Sequence, residues 1–177
     1  MLKLWPQERG DGTKMFNRLV ISGFVLIILI ILWCHKSGTG QRTAKPWNRP
    51  SCDLSAEVKR MDQLNGYDFE DYCAWLLKRN GFIGVKQTGK DHDCGLDLLA
   101  YRHHVKYGIQ CKHYKKRKVN RHTIKQTADG AHYYHVQRAI VLTNSRFSRE
   151  AVRDRKFFHV RLWNRRILIT LIQRAMS

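Results

Sequence analysis

Asp93-Cys94-Gly95-Leu96-Asp97-Leu98-Leu99-Ala100, followed closely by Ile109-Gln110-Cys111-Lys112, is the stretch whose reading decides the fold. Its first part reads as a turn that opens into an apolar strand with Asp97 at the strand's start. Asp97–Tyr101 and Val105–Lys112 then pair as a hairpin around Arg102–His104. Side chains alternate along a strand, so Gln110 and Lys112 share a face. A lysine and a glutamine turned toward a neighbouring strand's aspartate are unusual core packing. The same arrangement suits metal-dependent cleavage of a phosphodiester. Asp97 can offer a hard oxygen to Mg²⁺, which takes few protein ligands and keeps several waters. A metal there polarises a phosphate and acidifies a bound water, and Lys112 can position that water or steady the developing charge.

Working outward, Asp62 to Asn80 places Phe69, Tyr72, Cys73 and Leu76 at helical spacing, and Gly81 stands where a C-cap glycine belongs. Ile83–Gln87 reads as a short strand. After the hairpin come a helix over Val119–Gln137, a buried strand Ala139–Thr143, a helix over Phe147–Phe158, a strand His159–Trp163 and a terminal helix Arg166–Met176. Strands and helices in this order predict an α/β domain, a mixed sheet covered on both faces.

Two further acids bear on the site. Glu70 has Cys73, Ala74 and Leu77 as its helical neighbours, so it borders the inward face, where a carboxylate is costly unless paired or bound to a metal. The plainer reading is a solvated edge position or a salt bridge. Asp93 is a candidate accessory acid, although an Asx-turn role would explain it equally well.

Charge points to the partner. The chain carries 33 Lys+Arg against 14 Asp+Glu, a net +19. Residues 1–50 hold eight bases and two acids, so residues 51–177 keep 25 bases and 12 acids, or +13. An excess of this size inside the folded part concentrates polyanions and favours nucleic acid, with anionic lipid as the competitor. Lys106 to Lys125 holds eight bases and no acid. Such a run is usually a solvated face. Next to a candidate phosphodiester site, Lys115, Lys116, Arg117, Lys118, Arg121 and Lys125 become candidate DNA-binding residues. The histidine pairs His103-His104 and His132/His135 lack a third ligand and carry no metal reading. Five cysteines form no CxxC pair and their number is odd, so reduced thiols in a cytosolic compartment are expected.

Leu19 to Cys34 is a 16-residue run without charge, flanked by Arg18 and Lys36. It is slightly short for a span, but Trp33 and the flanking bases can anchor it at the interfaces. A core helix would carry a polar face, and a signal peptide needs a small-residue cleavage site that Trp33-Cys34-His35-Lys36 does not supply. The expected organisation is a tail over 1–18, a single transmembrane helix over 19–35, a linker over 36–53 and a domain over 54–177. Four bases lie on each side of the run within about 18 residues, so the positive-inside rule ties. A nucleic-acid substrate and unpaired thiols favour the domain on the cytoplasmic side.

Taken together, Gly66-Tyr67-Asp68-Phe69-Glu70, Gly81-Phe82, Thr88, Asp93-x-Gly-x-Asp97, Gln110-x-Lys112 and Leu142-Thr143-Asn144-Ser145-x-Phe147 resemble the Mrr-type restriction endonucleases. The resemblance covers roughly Leu64 to Ile172, with the motifs in the family's order. It implies a restriction-endonuclease-like fold and a Mg²⁺-dependent DNA endonuclease, acting on foreign or modified DNA. It also implies Asp97, Gln110 and Lys112 as the catalytic trio, with Glu70 as a helix-borne acid near the metal. Asp97, Glu70 and Gln110 would be the metal's ligands. Gln110 stands where the wider family has an acid, which leaves the number of metals open. A homodimer is compatible with this reading. The competing reading is a membrane-anchored DNA-binding module that keeps the fold and cuts weakly or not at all.

Overall fold

The computed structural model describes residues 53–89 and 94–177. The tail, the apolar run, the linker up to Cys52 and Asp93 lie outside the described residues.

Where one helix is expected over 62–80, two form. α1 (Leu54–Asp62) ends at Gln63, and α2 (Gly66–Arg79) starts after Asn65, whose side chain caps it by accepting from the Asp68 N–H at 2.8 Å. α1 itself starts on an Asp53 cap, with both carboxylate oxygens accepting backbone N–H groups of Ser55 and Ala56. The first helix is thus an element that the apolar spacing did not reveal. Glu57 fixes it to α2: fully buried, it accepts the Tyr72 hydroxyl at 2.9 Å and Arg60 at 3.1 Å. A buried carboxylate is tolerable only with such partners.

β1 (Ile83–Gln87), β2 (Leu98–Arg102) and β3 (Val105–Lys112) form an antiparallel meander. Its second turn is His103-His104, both at positive φ (49° and 61°). α3 (Arg121–Tyr133) then crosses over, so that β4 (Arg138–Thr143) joins β3 in parallel. α4 (Arg149–Asp154), half the length its sequence pattern suggested, leads to β5 (Val160–Trp163), parallel to β4. α5 (Arg165–Met176) closes the chain. The strand order is β1-β2-β3-β4-β5, a mixed five-stranded sheet with helices on both faces, as expected of an α/β domain.

β4 shows the two layers in its alternation. Ile140 and Leu142 enter one core with Phe69, Tyr72, Leu76 and Leu77 of α2 and Leu168, Leu171 and Ile172 of α5. Ala139 and Val141 enter the other with Ile124 of α3, Ala151 of α4 and Val160. A strand buried on both faces reads as a continuous apolar run, which is why Ala139–Thr143 is legible without any period. Among the described residues, no helix is long and apolar enough to cross a membrane.

Candidate active site and nucleic-acid interface

The β2–β3 register pairs Leu98 with Ile109, and the Asp97 N–H donates to the Ile109 carbonyl at 2.9 Å. One step further along the ladder, Asp97 therefore faces Gln110. The Gln110 amide donates to both carboxylate oxygens, at 3.1 and 3.0 Å, and the Cys111 backbone N–H donates to Oδ2 at 2.6 Å. Asp97 and Gln110 are 8% and 3% exposed, so water contributes little to solvating this carboxylate. Lys112, half-buried, follows on the Gln110 face by strand alternation.

A second set of contacts fixes the turn before Asp97. Gly95 sits at φ 83°, and a Cβ there would come within 2.2 Å of the Gln126 carbonyl oxygen on α3. A Cβ on Gly130, one helical turn later, would meet the Cys94 carbonyl oxygen at 2.3 Å and Leu96 at 2.9 Å. The two glycines let α3 press directly on the turn. The position of Asp97 is thus set by the β3 ladder on one side and by a helix backbone on the other.

Glu70 reaches the same strand end from the α2 layer. Its neighbour Phe69 stacks against His113, with ring centroids 5.0 Å apart, just past Lys112. Cys111 lies beside both acids. Its thiol is pushed well up by a hydrogen bond to Cys73 and by burial, then by the charges of Cys73, Asp97 and Glu70. Asp97 and Gln110 thus meet at the end of β3 with Lys112 two residues on, and Glu70 lies near enough to act on the Cys111 thiol. The oxygens of Asp97, Gln110 and Glu70 are a hard donor set. Among the described residues no three His, Cys, Asp or Glu side chains form a ready metal cage.

The basic residues divide. Lys115, Lys116, Arg117 and Lys118 are exposed on the loop that leaves β3. A cleft of about 550 Å³ at the ends of β3 and β4 is lined by Lys115, Lys116, Lys118, Asn144, Arg146 and Arg165, among others. Arg121 points elsewhere, paired with Asp154 and lying over the Phe158 ring at 5.7 Å. Lys125 pairs with Asp129 at 3.6 Å along α3. Lys106, the first base of the run, is held at the far end of β3 by the Tyr134 carbonyl at 2.6 Å.

The cleft has a polar keystone that the residue pattern did not single out. Asn144, 5% exposed, accepts the Tyr114 N–H at 2.8 Å and donates to Asp62 at 3.2 Å. Arg165 grips both oxygens of Asp62, at 2.5 and 2.6 Å, and donates to the Asn144 carbonyl at 3.2 Å. Burial works to raise the Asp62 pKa, but the Arg165 and Asn144 hydrogen bonds and the nearby cations leave it below the usual carboxylate value. Next to it, Thr143 donates to the Lys112 carbonyl at 2.6 Å. α1, the start of α5, and the ends of β3 and β4 are thereby tied around one asparagine. Arg146 and Arg165 were not foreseen as cleft residues. Their only sequence signal is position, one just after the end of a strand and one at the start of a helix.

The Mrr_cat family of restriction endonucleases matches residues 61–172. The chain belongs to the Mrr-type restriction endonuclease family. Its catalytic-domain match takes in α2 to α4, all five strands and α5 as far as residue 172, so the whole meander and both parallel additions are family structure. No curated protein matches the chain. Among solved structures, the modification-dependent restriction endonuclease AspBHI is similar with a TM-score of 0.54 at 14% identity, over 77% of this chain and 39% of that one. MspJI restriction endonuclease, solved with a 27-mer oligonucleotide, is similar with a TM-score of 0.50 at 14% identity, over 78% and 35%. A protein of unknown function, AF1548, is similar with a TM-score of 0.50 at 21% identity, over 56% and 58%. At these identities the likeness is one of fold. This Mrr-type chain spans well under two thirds of each of those structures.

Proposed function

We propose that this domain hydrolyses DNA phosphodiester bonds with Mg²⁺ and is tethered to a membrane through Leu19–Cys34, with the domain on the cytoplasmic side. The observation that carries the chemistry is Asp97, a buried carboxylate set across from Gln110 with Lys112 two residues on. Asp97, Gln110 and Glu70 would hold the ion, and the bound ion would supply Lewis acidity toward the phosphate and a water of lowered pKa. Asp97 is held by two N–H donors, so its carboxylate is oriented before any ligand arrives. Gln110 spends its amide nitrogen on Asp97, which leaves its carbonyl oxygen as the acceptor end. Lys112 supplies a positive charge where negative charge grows on the phosphate in the transition state. The Lys115–Lys118 loop and the Asn144–Arg165 cleft lie beside that point and would carry the flanking phosphates.

Family membership supports the DNA substrate, and the modification dependence of AspBHI supports foreign or modified DNA as its class. The membrane tether rests on the 16-residue uncharged run and its basic flanks. A homodimer would place two such sites on opposite strands of a duplex. The test is nicking of methylated and unmodified plasmid by the full chain, with Mg²⁺, with Mn²⁺ and with EDTA. Cleavage that requires the divalent ion and prefers one plasmid is expected. Cleavage indifferent to EDTA would remove the reading, and binding without cleavage of either plasmid would favour the tethered DNA-binding module.

A further inference from the structure

The parallel strands have a second basic end. Arg138 opens β4, and Arg155, Lys156, His159 and Arg161 surround the entry to β5. Together they line a depression of about 620 Å³, and no acid among the described residues lines it. β4 separates this end from the catalytic edge: Arg138 and Thr143 are its first and last residues, about 16 Å apart at ~3.3 Å per residue. The nearest acid on α4, Asp154, is already engaged by Arg153 and Arg121. The positive charge of this end is therefore uncompensated, and the reaction proposed above makes no use of it.

Directly after Lys156 in the chain stands an aromatic tip. Phe157 is 79% exposed, on a turn closed by the Val160 N–H to the Arg155 carbonyl and the His159 N–H to the Lys156 carbonyl. Its neighbour Phe158 packs into the α3–α4 core, with ring centroids 5.0 Å apart, so the turn is rooted while Phe157 projects. Val152 on α4 adds a second apolar side chain, 48% exposed. An exposed aromatic ring next in sequence to a basic cluster is the chemistry of an interfacial contact. The ring enters the headgroup boundary, and the bases meet anionic headgroups.

We propose that this face, the basic depression of Arg138, Arg155, Lys156 and Arg161 with the exposed Phe157 next to Lys156 in the chain, docks on an anionic lipid surface at the end of β4 opposite the proposed catalytic edge. The inference draws on the tether in one respect: the uncharged run would keep a bilayer within reach through the residues 36–53, at most ~60 Å of extended chain. Two features favour lipid over a second stretch of DNA. A polyanion in water gives no reason for a bare phenyl ring exposed beside the basic residues, and the same chain carries an uncharged apolar run.

The test uses the full chain in nanodiscs, one set zwitterionic and one containing phosphatidylglycerol. Amide hydrogen exchange over residues 152–161 is expected to slow several-fold in the anionic discs only, and to recover at high salt. Combining Phe157→Ser with Arg155→Gln, Lys156→Gln and Arg161→Gln is expected to abolish that difference while nicking of plasmid stays unchanged. Equal exchange in both lipids would overturn the contact. So would protection that appears with added duplex DNA and not with anionic lipid. If the chain proves soluble without lipid, the tether falls by itself. The contact is then read by flotation with phosphatidylglycerol vesicles. Flotation lost in the combined variant supports it, and flotation indifferent to those changes overturns it.

Discussion

The proposed catalytic edge and the basic loop beside it are held in different ways, and the difference suits them to different work. Asp97 and Gln110 are buried and fixed by the β2–β3 ladder, two N–H donors and the backbone of α3. Lys115 to Lys118 are exposed, and their loop is fastened at its root by the Tyr114 N–H on Asn144. Chemistry that depends on sub-ångström placement belongs on the rigid side. Charge that follows a phosphate backbone can remain on a loop, because its contribution is long-ranged and largely independent of sequence.

If this division holds, substitutions on the two sides should separate cleavage from binding. Lys112→Ala should lower the cleavage rate by about 10²–10³-fold, the usual loss for one group that stabilises transition-state charge, with a small loss of binding. Single-turnover cleavage and DNA binding measured on the same duplex would check it. A Lys112→Ala enzyme that cuts normally would break the comparison. Gly130→Ala should be destabilising, because its Cβ would meet the Cys94 carbonyl oxygen at 2.3 Å. The cost should be about 1–3 kcal/mol, read by denaturant unfolding, and cleavage should fall as the Asp97 turn shifts. Asn144→Ala removes the acceptor for the Tyr114 N–H and a partner of Asp62. It should cost about 1–3 kcal/mol through the groups left unsatisfied, and should weaken DNA binding even though Asn144 carries no charge.

A gentler probe of the same keystone is pH. The Asp62 pKa is lowered in the fold, so its contribution to stability is present above the ordinary carboxylate value. It is lost as the pH falls through the lowered one. Asp62→Asn should therefore flatten the loss of stability with acid in that window, and an unchanged acid limb would mean that the Arg165 grip is incidental. The smallest effect belongs to the loop. Neutralising Lys115, Lys116 and Lys118 together should reduce the salt slope of binding by up to ~0.9 log-log units per lost phosphate contact. The same change to Lys125 should leave the slope alone, since its charge is spent on Asp129.

How much of this was legible follows from the kind of signal each part carries. The hairpin and β4 were readable because alternation and continuous burial are local properties, and the strand limits differ by a residue at most. Asp97, Gln110 and Lys112 could be grouped because a hairpin register is nearly fixed once its turn is placed. The break at Gln63–Asn65 was hidden, since apolar spacing runs on through it and only the Asn65 cap marks the restart. The α4 helix was overextended because no breaker residue stands before Phe158, whereas the helix ends at Asp154 and the chain closes in a turn ending at His159, φ 53°. Arg121 reads as part of a basic run, and only the fold brings Asp154 to it from 33 residues away. The Asp62–Asn144–Arg165 cluster joins three distant segments, which no window of sequence can display.

The central claim is that Asp97 organises a cation-dependent cleavage site and does not itself hold the DNA. It is tested most directly by measuring plasmid nicking and DNA affinity together for the full chain and for Asp97→Asn, with Mg²⁺ and with EDTA. The account predicts nicking by the unaltered chain in Mg²⁺ alone, none by Asp97→Asn, and affinity in the variant equal or higher because a negative charge near the phosphates is gone. Normal nicking by Asp97→Asn in Mg²⁺ would contradict it.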